Sequence, residues 1–133
     1  MKILIKTLKE LRLIETKNIV YCQADEHYTK IYTNKNIDTK EYFISILMLK
    51  YFEENLPEIN FFRCHKSFLF NLDYFKEFDA KRNIIILKNN SEIKISRNKK
   101  LQMQKKLFTY IEYKENHYCP IKIKNRECQF LVL

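Results

Sequence analysis

Apolar residues in this chain recur mostly at the short period of β-strands. Ile3-Leu4-Ile5 is a brief apolar run, and Ile19-Val20-Tyr21-Cys22 is a second one, rich in β-branched and aromatic side chains. From Tyr28 to Thr33 the pattern Tyr-Thr-Lys-Ile-Tyr-Thr alternates, as in a strand buried on one face. Thr33-Asn34-Lys35-Asn36 reads as a turn, after which Thr39 to Phe43 returns as the partner strand. The clearest hairpin signal is Ile84 to Leu87, then Lys88-Asn89-Asn90-Ser91, then Ile93-Lys94-Ile95. Asparagine stands in these turns in place of glycine, because it tolerates the left-handed region better than other side chains. Two segments carry helical spacing. Ser45 is placed to cap a helix in which Met48, Leu49, Phe52 and Leu56 recur, with Pro57 beyond its end. A second helix is expected from about Asn98 to Tyr113, with Leu101, Lys105 and Phe108 on one stripe and Leu107, Tyr110 and Ile111 on another. Short strands with one internal and one C-terminal helix predict a β-rich α+β fold.

Composition narrows the function. The chain has 133 residues, room for one domain, and 46% of them are apolar, enough for a real core. It contains no glycine. A chain of this length ordinarily carries roughly nine. Without them there is no P-loop, no dinucleotide-binding G-x-G-x-x-G and no G-x-S-x-G nucleophile elbow. His65 has no recognisable nucleophile and orienting carboxylate around it, and the neighbouring acids Glu53 and Glu54 do not face each other on a helix. No enzyme is therefore expected. The apolar run at Met1–Lys6 is too short for a signal peptide, and no stretch approaches the roughly 18 apolar residues of a membrane span, so no membrane insertion is expected. Cys22, Cys64, Cys119 and Cys128 then read as reduced thiols of a cytoplasmic protein. His117, Cys119 and Cys128 lack the paired C-x-x-C spacing of a structural zinc site, so no metal and no other cofactor is expected. Cys64, between Arg63 and His65, has two readings: a redox-sensing thiolate, or a small apolar residue in a strand, of which the second is the plainer.

The charge is basic and uneven. Lys and Arg number 25 against 16 Asp and Glu, a formal net charge of +9, which points to a polyanionic partner. Ile93 to Lys106 holds Lys94, Arg97, Lys99, Lys100, Lys105 and Lys106 and no acid, while Arg63, His65 and Lys66 form a second basic knot. Acids gather elsewhere, at Glu53, Glu54, Glu58, Asp73, Glu77 and Asp79. A lysine-rich stretch is often only a solvated helix face. Here Arg97-Asn98-Lys99-Lys100 directly follows a strand, which sets basic side chains at a strand-to-helix junction where backbone N–H groups also meet phosphate. Phe61, Phe62, Phe68 and Phe70 invite a reading as stacking platforms for single-stranded bases, but they lie in runs that read as core.

Phe62-Arg63-Cys64-His65-Lys66-Ser67-Phe68-Leu69-Phe70-Asn71 resembles the central signature of the LytTR DNA-binding domain of bacterial transcription regulators. Three further pieces agree in order and spacing. They are Ile19 to Ala24 followed by the aromatic strand Tyr28 to Thr33, the helix ending Leu56-Pro57, and Ile84 to Leu87, Asn89-Asn90 and Ile93-Lys94-Ile95-Ser96-Arg97. A departure is Asn90, where the family often has glycine. The resemblance covers roughly residues 1–110 and implies an elongated arrangement of small antiparallel sheets whose loops reach double-stranded DNA, one domain per promoter direct repeat. Carried over by position, His27 or Tyr28, Lys66 and Arg97 face bases; His65, read by itself, holds the loop of Lys66 through a structural hydrogen bond, and Asn71 is taken as loop-structuring with it. Independently of the family, the planar fork of Arg97 suits guanine O6 and N7, and Lys66 can donate to the same acceptors. Arg63, Ser67, Lys30, Asn98, Lys99 and Lys100 suit phosphate contacts.

On this reading residues 1–113 are the DNA-binding domain, without room for the receiver domain that usually precedes it. Residues 114–133 are a tail whose Ile121 to Ile123 and Phe130 to Leu133 suggest a hairpin for sheet extension or self-association. A homodimer, or pairing with another regulator, is accordingly open. The alternative function is an interaction module that lacks its own input domain and pairs with a larger regulator or membrane partner.

Overall fold

The computed structural model describes residues 1–36 and 42–118. The expected strand Thr39–Phe43 therefore falls largely outside the described residues, and the expected tail hairpin wholly so. The elements in chain order are β1 (Lys2–Lys6), β2 (Leu11–Glu15), β3 (Ile19–Asp25), β4 (Tyr28–Thr33), β5 (Tyr42–Ser45), α1 (Leu49–Asn55), β6 (Phe61–His65), β7 (Phe68–Asn71), β8 (Phe75–Asp79), β9 (Ile84–Leu87), β10 (Glu92–Lys94) and α2 (Lys100–Tyr118). They form three antiparallel sheets: β1-β2, a five-stranded sheet in the order β5-β4-β3-β7-β6, and a three-stranded sheet in the order β10-β9-β8. Small antiparallel sheets with an internal and a C-terminal helix are what the sequence pattern predicts.

The five-stranded sheet is covered on both faces. One face packs with β1 and α1 around Ile3, Ile5, Cys22, Ile31, Phe52 and Leu69. The other packs with the three-stranded sheet and α2 around Val20, Cys64, Phe70, Ile85, Ile93 and Met103. Successive strand side chains point to opposite faces, so a strand covered on both sides reads as a continuous apolar run. This explains why Ile19, Val20, Tyr21 and Cys22 are all buried and why Leu69 and Phe70 serve different cores. Asn71 ends β7 in the interior, only 1% exposed. Its Nδ2 donates to the Ile19 carbonyl at 3.0 Å and its Oδ1 accepts the Asp73 N–H at 2.9 Å, so both halves of the amide are satisfied.

The structure corrects several boundaries. Ser45 does not cap a helix: it is the last residue of β5, paired with Thr29, and its Oγ donates to the Lys6 carbonyl at 2.8 Å. That bond ties the five-stranded sheet to β1, and α1 begins four residues later behind Met48, without a side-chain cap. The second helix starts after a 3-10 turn at Arg97–Lys99 and continues past residue 113 to Tyr118. The described partner of β4 is Tyr42–Ser45, which takes in Tyr42 and Phe43 of the expected strand and runs on to Ser45. β10 ends at Lys94, and the Ile95 N–H carries its register one step further onto the Asn83 carbonyl. β2 and β8 carry no clear pattern, since both are edge strands with mixed exposure. Tight turns form without glycine through Glu26 (φ 54°), Asn83 (φ 55°) and Asn90 (φ 65°). Asn90 acts as its side chain predicts; Glu26 occupies a region that suits glycine or asparagine better.

Candidate nucleic-acid interface

Strand register brings three separated sequence segments to one end of the molecule. β3 runs to Asp25, turns at Glu26-His27 and returns from Tyr28, with Asp25 opposite Tyr28. β6 runs to His65, turns at Lys66-Ser67 and returns from Phe68, with His65 opposite Phe68. Because β3 and β7 are antiparallel with Gln23 opposite Phe68, both turns project from the same end of the sheet. The Ala24 N–H donates to the Ser67 carbonyl at 2.8 Å and extends that pairing to the turn itself. The third segment arrives from the other sheet. Beyond β10 the Ser96 N–H donates to the Cys64 carbonyl at 2.9 Å, which seats Arg97 beside the β6–β7 turn.

The side chains at this end divide into those facing solvent and those holding the turns. His27, Tyr28, Lys66, Arg97 and Asn98 are exposed. Lys66 and Arg97 form no ion pair among the described residues, so both charges are available to a partner. Lys99 and Lys100 are half-buried where α2 begins, with the Lys100 ammonium 6.0 Å above the Phe78 ring. Lys94 lies beside the same turn: with Lys66 and Arg63 it adds to the positive field on His65. Strand alternation carries the signal for it, since Glu92 and Lys94 point outward on either side of buried Ile93.

Two residues expected to touch DNA are engaged inside the protein. Arg63 donates through Nη1 to Glu53 Oε1 at 2.9 Å, through Nη2 to the Lys66 carbonyl at 2.6 Å and through Nε to the His65 carbonyl at 3.3 Å. It thereby braces the Lys66 turn from behind. Lys30 lies 3.4 Å from Asp25 Oδ2 and 4.8 Å above the Tyr42 ring. Its ammonium neutralises an acid next to the first turn.

His65 holds its own turn. Its Nδ1 accepts the Ser67 N–H at 3.1 Å, which requires a lone pair on that nitrogen and hence a neutral ring protonated at Nε2. Burial, and then the positive charges of Lys66, Lys94 and Arg63, lower the imidazole pKa below its ordinary value and favour this form. Cys64 is fully buried, with Sγ 3.3 Å from the Lys94 carbonyl, and burial pushes its thiol up to about 12. A thiol so protonated is a poor nucleophile, which removes the redox-sensing reading. The suggested His117, Cys119 and Cys128 grouping lies outside the described side chains.

The arrangement is a row of turns presenting cationic and hydrogen-bonding tips over a rigid sheet. Residues 9–108 match the LytTr DNA-binding domain family. The chain belongs to this family. As a LytTr domain it resembles the transcriptional regulatory protein YpdB of Escherichia coli K12, with 34% identity over 101 residues covering 71% of this chain and 39% of that protein. The sensory transduction protein LytT of Bacillus subtilis is 27% identical over 110 residues, covering 80% of this chain and 43% of its own length. The chain thus spans about two fifths of the curated relatives it matches. Its fold is that of the LytTr DNA-binding domain of a methyl-accepting/DNA response regulator from Bacillus cereus, with a TM-score of 0.65 at 21% identity over 80% of this chain and 95% of that one. No described helix of this LytTr domain is long and apolar enough to cross a membrane.

Proposed function

We propose that this LytTr domain reads double-stranded DNA sequence in the major groove and acts as a bacterial transcription regulator. The observation that carries the reading is the convergence of three turns at one end of the fold, with His27-Tyr28, Lys66 and Arg97 at their tips. Arg97 supplies a bidentate donor fork for guanine, and Lys66 a point charge for the same acceptors. His27 and Tyr28 add donors at the first turn. Asn98, Lys99, Lys100, Lys94 and the Ser67 hydroxyl serve phosphates, which fix orientation without reading sequence. Arg63, His65 and Lys30 hold the turns in place. Asn71 secures the far end of β7 and so the strand behind the second turn.

The experiment is a selection from a random duplex pool at roughly physiological salt, where nonspecific backbone affinity is weakened. Enrichment of a repeated motif supports sequence-specific regulation of promoter repeats. A folded protein that enriches nothing would overturn it.

A second reading, self-association, is favoured by one observation. The outward face of the β1-β2 sheet carries Leu4 opposite Leu13, with Leu11 alongside, exposed at 48%, 63% and 63%. Apolar faces of this kind commonly mark contact surfaces. Sedimentation of the full chain decides between monomer and dimer.

A further inference from the structure

The turn between β8 and β9 lies at the end of its sheet from which the chain passes to the Arg97 segment assigned to DNA. Asp79, the last residue of β8, and Lys94, the last of β10, both pair with Ile84 at the start of β9. The intervening residues 80–83 therefore sit at the end of the sheet from which the chain leaves β10 toward Arg97. The Ile95 N–H donates to the Asn83 carbonyl at 3.3 Å, and the next residue, Ser96, donates to Cys64. Two successive backbone hydrogen bonds thus join the β8–β9 turn to β6, the strand that leads into the Lys66 turn.

This turn holds one shape. Asp79 Oδ1 accepts the N–H groups of Lys81 and Arg82 at 3.1 and 3.3 Å, so the carboxylate substitutes for a backbone acceptor in closing the turn. The Arg82 guanidinium lies 2.8 Å from Asp79 Oδ2 and 3.2 Å from Glu92 Oε2, so its charge is answered within the sheet. Asn83 turns the chain back at φ 55°. Lys81 differs: it is exposed and forms no ion pair among the described residues. The same sheet supplies an internal control. Lys88 is also exposed, in the β9–β10 turn at the opposite end.

We propose that the β8–β9 turn is a fourth DNA-facing element, and that Lys81 contacts the phosphate backbone beside the position read by Arg97. The proposal rests on the assignment of this end of the molecule to DNA. A lysine on a fixed turn contributes a point charge that positions the domain and extends its footprint, without discriminating between bases.

The test measures binding of the full chain to the duplex enriched by selection and to a random duplex of equal length, across a salt series. Lys81→Ala should weaken binding to both about three- to tenfold and reduce the slope of log affinity against log salt by about one. Lys81→Arg should restore both, and Lys88→Ala should match the wild type. Wild-type behaviour of Lys81→Ala, beside a clear loss in Arg97→Ala, overturns the fourth element alone. A wild type that prefers no sequence overturns the proposed function and this inference with it.

Discussion

Individual side chains at the turn tips differ in what they can be asked to do. Arg97 stands exposed with its whole fork of donors available, so Arg97→Ala should cost about 1–3 kcal/mol of binding and relax preference at one base position. Competition with single-position variants of the selected duplex checks it; uniform weakening on every variant would assign Arg97 to phosphate instead. His65 couples the second turn to pH. Its folded pKa lies below the unfolded value, so as pH falls through the unfolded range the unfolded state takes up the proton first. Stability is therefore fully present above about pH 6.5, declines as pH drops toward the folded pKa, and levels off below it. Urea unfolding at about pH 7.5 and pH 5.5 should show a larger decline for the wild type than for His65→Gln, where the titration is gone. Equal declines would mean that His65 is not the linked group.

Elements rather than residues decide how the turns are presented. The β3–β4 hairpin turns through only Glu26 and His27, and Glu26 adopts φ 54° without being glycine or asparagine. The left-handed region costs an ordinary residue about 1–2 kcal/mol, so Glu26→Asn should raise stability by roughly 1 kcal/mol, read as a higher thermal midpoint. The substitution also removes an acid beside His27, and binding to DNA should strengthen slightly. An unchanged midpoint would show that the hairpin carries no such strain. The helical C-terminal element is anchored through polar side-chain ends as well as through its apolar stripe. The Tyr110 hydroxyl donates to Asp73, and the Lys106 ammonium to the Glu58 carbonyl. These contacts help hold α2, and with it the Arg97 junction, against the sheets.

The whole molecule stands on one sheet shared by two cores. Leu69 and Phe70 are neighbours in β7 yet pack into opposite cores. Leu69→Ala should cost about 2–5 kcal/mol through the cavity it leaves, and Phe70→Ala about 3–5 kcal/mol. Because the strand belongs to both cores, each variant should still unfold in a single transition, seen by calorimetry at a lowered midpoint. Two separate transitions would show that the halves fold independently. The same sharing explains the basic end. Turns from two sheets come together where the sheets share a core and the Cys64 carbonyl of β6 receives the Ser96 N–H.

The sequence by itself determined the strand-rich class, β3 and β4 as separate strands, the β9–β10 hairpin and the basic knots at Arg63–Lys66 and Arg97–Lys100. These depend on short-range periodicity, turn chemistry and local charge, all of which act within a few residues. The Phe62–Asn71 signature, together with the three further pieces in order and spacing, likewise pointed to the family, and within it Asn71 and His65 have their polar groups satisfied in the fold. Tertiary structure alone decided the rest. β2 and β8 form because partners pair with them, not because their own patterns demand it. Ser45 closes a sheet where its sequence context suits a helix cap, because the Lys6 carbonyl is there to receive its hydroxyl. Arg63 faces inward and Arg97 outward, although both are arginines beside strand ends. Glu53 and two turn carbonyls surround the first, and nothing among the described residues meets the second. Long-range pairing, which brings residues thirty or more positions apart into one row, is the physical reason that local pattern could not place them.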